Sequence, residues 1–265
     1  MSGVRRALPL RQSGGQGVDA VAIYDRAYFT AKQAGWSATA AAVVPALLRW
    51  FPARSVLDVG CGTGELLAAF VRQGATDVLG IDGDHVPRDL LRIAPAQFRA
   101  ADVATLQDVG RRFDVACSLE YAEHLPADHA ERLVALLAAA APVVLFSAAV
   151  PGQGGLGHVN EQRQSWWARL FAAHGRVPVD CIRPAIQGAP GAEWYYAQNT
   201  LVYCPPEQVP EGWSAVRNPL YLDLLDDRVF GPMTRPPDSI GGSLRALRRD
   251  ASALVRAVRR RLRRQ

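Results

Sequence analysis

The sequence predicts an α/β protein built on a mostly parallel seven-stranded sheet with helices on both faces. Short apolar runs bounded by turn residues recur at 55–59, 78–81, 97–100, 113–117, 143–147, 176–182 and 199–203. Helix-patterned stretches separate most of them, and a glycine-rich turn joins the first run to the helix that follows. Repeated strand–helix alternation gives parallel strands with right-handed crossovers. The chain has 265 residues, of which 49% are apolar. That length suits one α/β domain carrying a leader, insertions and a tail, with enough apolar side chains for a sizeable core.

The elements follow in order. Residues 1–17 read as a flexible leader, because Gly14, Gly15 and Gly17 do not support a packed element. Helical patterns cover about 18–32 and about 37–50, the second with Ser37 placed to cap it and Val43, Val44, Leu47 and Leu48 on one face. After the first two strands a short helix is expected over 86–93, then a weak strand, the fourth strand, and a helix over 128–140 leading into the fifth strand. Residues 150–163 form a glycine-rich loop, and a helix carrying Trp166, Trp167, Leu170 and Phe171 comes next. A polar and aromatic insertion at 183–198 lies between the last two strands. The domain is thus placed at 18–205, followed by an irregular Pro-rich segment, 206–243, and a basic amphipathic helix, 244–265.

Charge is local. Residues 244–265 hold nine arginines and one aspartate, a net +8, while the whole chain carries +5, so the remainder sits at −3. Leucines and valines recur there at helical spacing, which suits weak contact with an anionic membrane surface or a nucleic acid, or else a solvated helix. The uncharged stretch 133–150 is divided by Pro142, and reads as a helix end followed by a buried strand rather than a membrane span. The N-terminus lacks a signal-peptide pattern, and Cys61, Cys117, Cys181 and Cys204 have neither metal-ligand nor redox spacing. A cytoplasmic protein with reduced thiols and no required metal is expected.

The strongest chemical signal is Val56-Leu57-Asp58-Val59-Gly60-Cys61-Gly62-Thr63-Gly64. Glycines at a strand-to-helix turn let the backbone approach a ligand and expose helix N-terminal N–H groups. A carboxylate ending the next strand, Asp82, is placed to accept ribose hydroxyls, with Asp84 as the alternative. The third glycine comes one residue earlier than in the usual dinucleotide fingerprint. The pattern closely resembles motif I of the class I S-adenosylmethionine (SAM)-dependent methyltransferases, and the resemblance runs in order through 50–150 and more loosely to 205. It implies a Rossmann-like fold with SAM as cofactor. Gly60, Cys61, Gly62 and Gly64 would surround the methionine part of SAM, and Asp58 would order the loop and receive the amino group. Asp82 with Gly83 would bind the ribose, and Asp102 with Val103 the adenine. Leu119 and Glu120, in the stretch that runs on to Glu123-His124-Leu125-Pro126, would close the methionine end.

The acceptor side is sought after the fifth strand, at Gly157-His158-Val159-Asn160-Glu161. His158 is a candidate general base, with Glu161 orienting it or binding acceptor hydroxyls, and His124 is the rival base. Asn160 or Ser165 would cap the helix that follows. Trp166, Trp167, Trp194, Tyr195 and Tyr196 offer an aromatic wall, although adjacent helical Trp residues cannot face the same way. The expected activity is methyl transfer to a small molecule, at a hydroxyl oxygen of a saccharide or secondary metabolite. N-methylation and a non-catalytic SAM-binding protein anchored by its tail are the alternatives.

Overall fold

The computed structural model describes residues 24–234. The expected leader, the start of the first predicted helix, part of the Pro-rich segment and the basic tail lie outside the described residues.

Where two N-terminal helices were expected, one continuous helix is found, α1 (Arg26–Leu48), capped by Asp25, whose carboxylate accepts from Tyr28 N. Ser37 is therefore not a cap. Gly35 lies within the helix, where its missing side chain makes room for a neighbour. A Cβ there would lie 2.6 Å from the Glu193 carboxylate.

The sheet begins with β1 (Ser55–Val59), which the glycine turn connects to α2 (Glu65–Arg72), and continues with β2 (Asp77–Asp82). The helix expected over 86–93 is reduced to a single 3₁₀ turn at Arg88–Leu90, flanked by Pro87 and Pro95. Then follow β3 (Phe98–Ala100), β4 (Val115–Leu119), α3 (Ala127–Ala140) and β5 (Val143–Ser147). β4 starts two residues later than the apolar run suggested. Asp114 instead ties β4 to the start of β1, its carboxylate accepting from the N–H groups of Arg54 and Ser55 at 2.8 and 2.9 Å. Among the described residues no helix is long and apolar enough to cross a membrane.

The second half adds α4 (Gln164–Ala172), β6 (Val177–Val179), α5 (Arg183–Ile186), α6 (Trp194–Asn199) and β7 (Leu201–Cys204). Strand order is β3-β2-β1-β4-β5-β7-β6, with β7 antiparallel to β5 and β6 and every other pairing parallel. The seven-stranded, mostly parallel α/β architecture is as expected. Residues of one strand alternate between two cores. Leu57, Val59, Ala116, Val144 and Phe146 pack with α3 and α4, whereas Val56, Val115, Val143 and Leu145 pack with α1 and α2. Trp167 belongs to the first core, 4.9 Å from Phe146 between ring centroids.

The compact body runs past the expected boundary at 205 and ends at Leu225; a second compact unit begins at Asp226. Neither predicted cap of α4 is used. The helix starts after Arg163, and Asp223 reaches it instead, accepting from Ser165 N at 2.7 Å and Ser165 Oγ at 2.8 Å. Arg183, almost fully buried, joins the 183–198 insertion to this segment. It pairs with both oxygens of Asp180 and donates to the carbonyls of Gln198 and Leu222. A buried guanidinium partnered this fully is tolerated. In the second unit the described element is α7 (Asp227–Thr234), where the Asp226 carboxylate accepts from Arg228 N at 2.9 Å.

Candidate functional site

A cavity of about 630 Å³ opens at the C-terminal ends of β1, β2 and β4. This is where ligands bind in open α/β sheets. Asp58, Gly60, Cys61, Gly62, Asp82, Leu119, Glu120 and His158, all singled out from the sequence, line it together. Gly64, Gly83, Asp102, Val103 and Glu161 are not among its lining.

The glycine turn is held from both sides. Gly60 N and Cys61 N donate to Ile81 O, and Gly64 N donates back to Cys61 O. Gly60, Gly62 and Gly64 all have positive φ, at 80°, 53° and 84°. Asp82 accepts from Gly62 N at 2.7 Å and from Gly83 N at 2.6 Å. It thus ties the loop to the tip of β2, and each of its oxygens keeps a second acceptor position for a ligand. Asp84, the alternative, is exposed and paired with Arg88. Gly64 serves as the N-cap of α2. Gly83 has a steric role, since a side chain there would run into the His85 ring, which stands 3.8 Å from Asp82.

Burial and the neighbouring Asp82 and Glu65 carboxylates raise the Asp58 carboxyl from its usual 3.8 to about 8. Burial likewise raises Asp82 and Glu65. Glu120, Glu123 and Glu193 add three more carboxylates to the lining, against Lys32 as its one lysine or arginine. Such a set favours a positively charged ligand. SAM, with a sulfonium and an ammonium, fits the acid-rich end, and its ribose fits the free acceptor positions of Asp82. Asp102 and Val103, expected at the adenine, stand outside the lining. Val103 is buried in the core, while Asp102 is exposed and closes a turn by accepting from Ala104 N at 3.0 Å.

At the opposite end, Glu161 orders the 150–163 loop. Its carboxylate accepts from Gly152 N at 2.9 Å and Gly154 N at 2.8 Å, and Nδ1 of His158 lies 3.0 Å away. Burial acts to raise its pKa, but these three bonds outweigh burial and hold Glu161 below the usual value. His158 packs over Gly155, where any side chain would displace its Nε2 edge. Its other neighbours are Glu123, whose carboxylate is 3.9 Å from Nε2, and His124, with ring centroids 4.9 Å apart. His124 is the poorer base. Burial and the neighbouring His158 lower its pKa to about 4, and its Nδ1 is 3.0 Å from the Tyr24 hydroxyl.

Glu120 sits at the tip of β4 with φ 50°. Its two oxygens accept from Asn199 Nδ2 and Gln153 Nε2, both at 3.0 Å, so it links α6 to the glycine loop. Trp194, Tyr195 and Tyr196 do line the cavity, whereas Trp166 and Trp167 do not. Sequence reasoning missed the contribution of α1, which brings Tyr28, Phe29, Lys32 and Trp36 over the opening. The i, i+4, i+8 spacing of Tyr28, Lys32 and Trp36 marked a helix face, but nothing local said what that face would cover.

The family model described as "Methyltransferase domain" matches residues 16–180. Among curated proteins, a ubiquinone biosynthesis O-methyltransferase of Acinetobacter baylyi is 37% identical over 81 residues, 28% of this chain and 34% of that protein. A second, from Bartonella tribocorum, is 33% identical over 87 residues, 31% of this chain and 35% of that one. The chain therefore spans about a third of the length of the curated relatives it matches. Among solved structures, SAM-bound CalS10, an amino pentose methyltransferase of Micromonospora echinaspora, shares the fold. Its TM-score is 0.51 at 20% identity, over 68% of this chain and 97% of that one. The sugar N-methyltransferase KedS8 of a Streptoalloteichus species matches with a TM-score of 0.51 at 19% identity, over 77% and 99%.

Proposed function

Since the chain belongs to the methyltransferase-domain family, we propose that it is an enzyme that transfers the methyl group of SAM to a hydroxyl oxygen of a small molecule, a saccharide or secondary metabolite. The observation that carries this reading is His158 on the wall of the same cavity as the glycine turn, with the Glu161 carboxylate behind it, 3.0 Å from Nδ1. When bound, SAM supplies a methyl group on positively charged sulfur, already activated for displacement.

The chain's residues then have three tasks. Gly60, Gly62 and Asp82 hold the nucleoside side, with Asp58 and Glu65 matching its positive charge. Trp194, Tyr195 and Tyr196 give an apolar wall against which a ring can lie, restricting its orientation. His158 takes the hydroxyl proton at its free ring nitrogen, while Glu161 fixes the tautomer at Nδ1 and stabilises the imidazolium that forms.

The test combines acceptor screening with labelled SAM and measurement of S-adenosylhomocysteine binding. The wild-type chain should methylate hydroxylated small molecules. Asp82→Ala should weaken S-adenosylhomocysteine binding by about 10- to 100-fold, the loss of one or two hydrogen bonds to a charged group. His158→Ala should leave that binding intact and lower turnover by about 100-fold or more. Unchanged turnover in His158→Ala removes it as base, and unchanged binding in Asp82→Ala moves the nucleoside elsewhere.

The arginine-rich residues 244–265 are assigned a weak, salt-sensitive contact with an anionic surface. Deleting them should abolish retention on anionic vesicles or nucleic acid at low salt; equal retention of the truncated chain refutes that role.

A further inference from the structure

Proton transfer by His158 leaves one neighbouring group without a task. Glu123 is almost fully buried, and neither of its carboxylate oxygens has a hydrogen bond of ordinary geometry, the N–H groups that bear on it being its own and that of Ala149. A buried carboxylate in that state calls for an explanation, and a cation is one that satisfies it. Glu123 faces His158 Nε2 at 3.9 Å, and His124 supplies a second imidazole, so that three donor atoms lie within 4.8 Å of one another. No other group of three such donors comes together among the described residues. Each ring also has an outer partner of the kind that orients metal-binding histidines: Glu161 at His158 Nδ1 and the Tyr24 hydroxyl at His124 Nδ1.

We propose that Glu123, His124 and His158 form a binding site for Zn²⁺, and that its occupation withdraws His158 from proton transfer. Two imidazoles and one carboxylate with an open fourth position suit this ion better than Mg²⁺ or Ca²⁺, which prefer all-oxygen shells. Bonds of about 2.0–2.2 Å in a tetrahedral shell put donors roughly 3.3 Å apart. The His158–Glu123 separation, 3.9 Å, therefore has to close by about 0.6 Å, and a donor pair at the 4.8 Å limit by about 1.5 Å. The surplus of carboxylates in the cavity draws cations toward the site. A lone pair given to zinc is not available to a hydroxyl proton, so the bound ion and proton transfer by His158 exclude each other. The exclusion rests on the base assignment made above; the ion site does not.

The test uses the full chain, stripped of metal by a chelator, and needs no acceptor. Zn²⁺ is titrated in competition with a chromophoric chelator, Co²⁺ is followed by its visible absorption, and histidine accessibility is read by diethylpyrocarbonate labelling with peptide mapping. One equivalent of Zn²⁺ should bind and protect His158 from labelling. Glu123→Gln and His158→Asn should each weaken binding at least tenfold while the thermal shift caused by S-adenosylhomocysteine persists, showing a folded pocket. Cys61→Ser, which removes the cavity's thiol, should bind Zn²⁺ as the parent does. Absence of saturable binding, full affinity in both ligand variants, or loss of binding in Cys61→Ser overturns the site. Tight binding that leaves His158 labelling unchanged overturns its withdrawal from proton transfer.

Discussion

An Asp58→Asn variant should melt well above the parent at pH 8, and the advantage should shrink to nothing near pH 4. Asp58 is buried beside Asp82 and Glu65, and its carboxyl titrates at about 8 in the folded chain against 3.8 when free. Below about pH 4 both folded and unfolded chains carry the protonated acid, and the group costs nothing. As the pH rises, the unfolded chain ionises freely while the folded chain must keep the proton or bury the charge. Folding stability therefore falls by up to about 1.4 kcal/mol per pH unit until the folded pKa is passed. Asparagine has the same shape and does not titrate, so it escapes this loss. Allowing for relaxation of a buried site, the difference at pH 8 should be roughly 2–5 kcal/mol, or about 5–15 °C in Tm. The same variant should bind SAM at least tenfold more weakly, because the charge that costs stability in the empty cavity is the one that meets a cation in the filled one. Calorimetry in buffers of different ionisation enthalpy should show proton release when SAM binds the parent near pH 7, and less in Asp58→Asn. A Tm difference that does not change between pH 4 and pH 8 would falsify the assignment.

That coupling of stability cost to binding explains why one part of the site was legible in the sequence. A parallel strand buried on both faces is a continuous apolar run, so Asp58 within Val56–Val59 stands out, and the glycines that follow are contiguous. The His158–Glu161 pair was equally local, three residues apart on one loop. What the sequence concealed were contacts made across long separations. The long helix α1 read as two, about 18–32 and 37–50, and nothing local told that Gly35 between them makes room for a Glu193 side chain 158 residues away. Asp223 caps a helix that starts some 60 residues earlier, and local capping rules pointed to Asn160 or Ser165 instead. Asp102 was placed at the adenine by motif order, and nothing in the sequence told that one of its oxygens accepts from Ala104 N in the turn after the short strand β3. Glu123 was visible only as part of the Glu123-His124-Leu125-Pro126 stretch, and the near-complete burial of its carboxylate beside His158 was not.

The glycines of the turn, alike in sequence, should respond very differently to a single methyl group. At Gly62 a Cβ meets only the rims of Trp36 and Phe29, at 3.7 and 3.8 Å, which is ordinary contact. Gly62→Ala thus carries chiefly the cost of holding alanine at φ 53°, about 1–2 kcal/mol, and should weaken SAM binding by no more than about tenfold. At Gly60 the same Cβ would fall inside the Tyr121 ring and lie 2.7 Å from Tyr121 Cβ. Because the stem of Tyr121 is in the way, rotating the ring does not relieve the clash. The backbone must move, and Tyr121 directly follows Glu120, whose φ of 50° leaves little freedom at the tip of β4. Gly60→Ala should therefore displace β4 from the loop and weaken SAM binding by about 100-fold or more, roughly 3 kcal/mol. Removing the obstacle supplies the control: Gly60→Ala combined with Tyr121→Ala should recover part of the affinity that Gly60→Ala loses. Isothermal titration of the parent, the two single glycine variants and the double variant decides the matter. Equal losses at the two glycines, or a double variant no better than Gly60→Ala, would mean that the turn and the tip of β4 do not bear on each other through Tyr121.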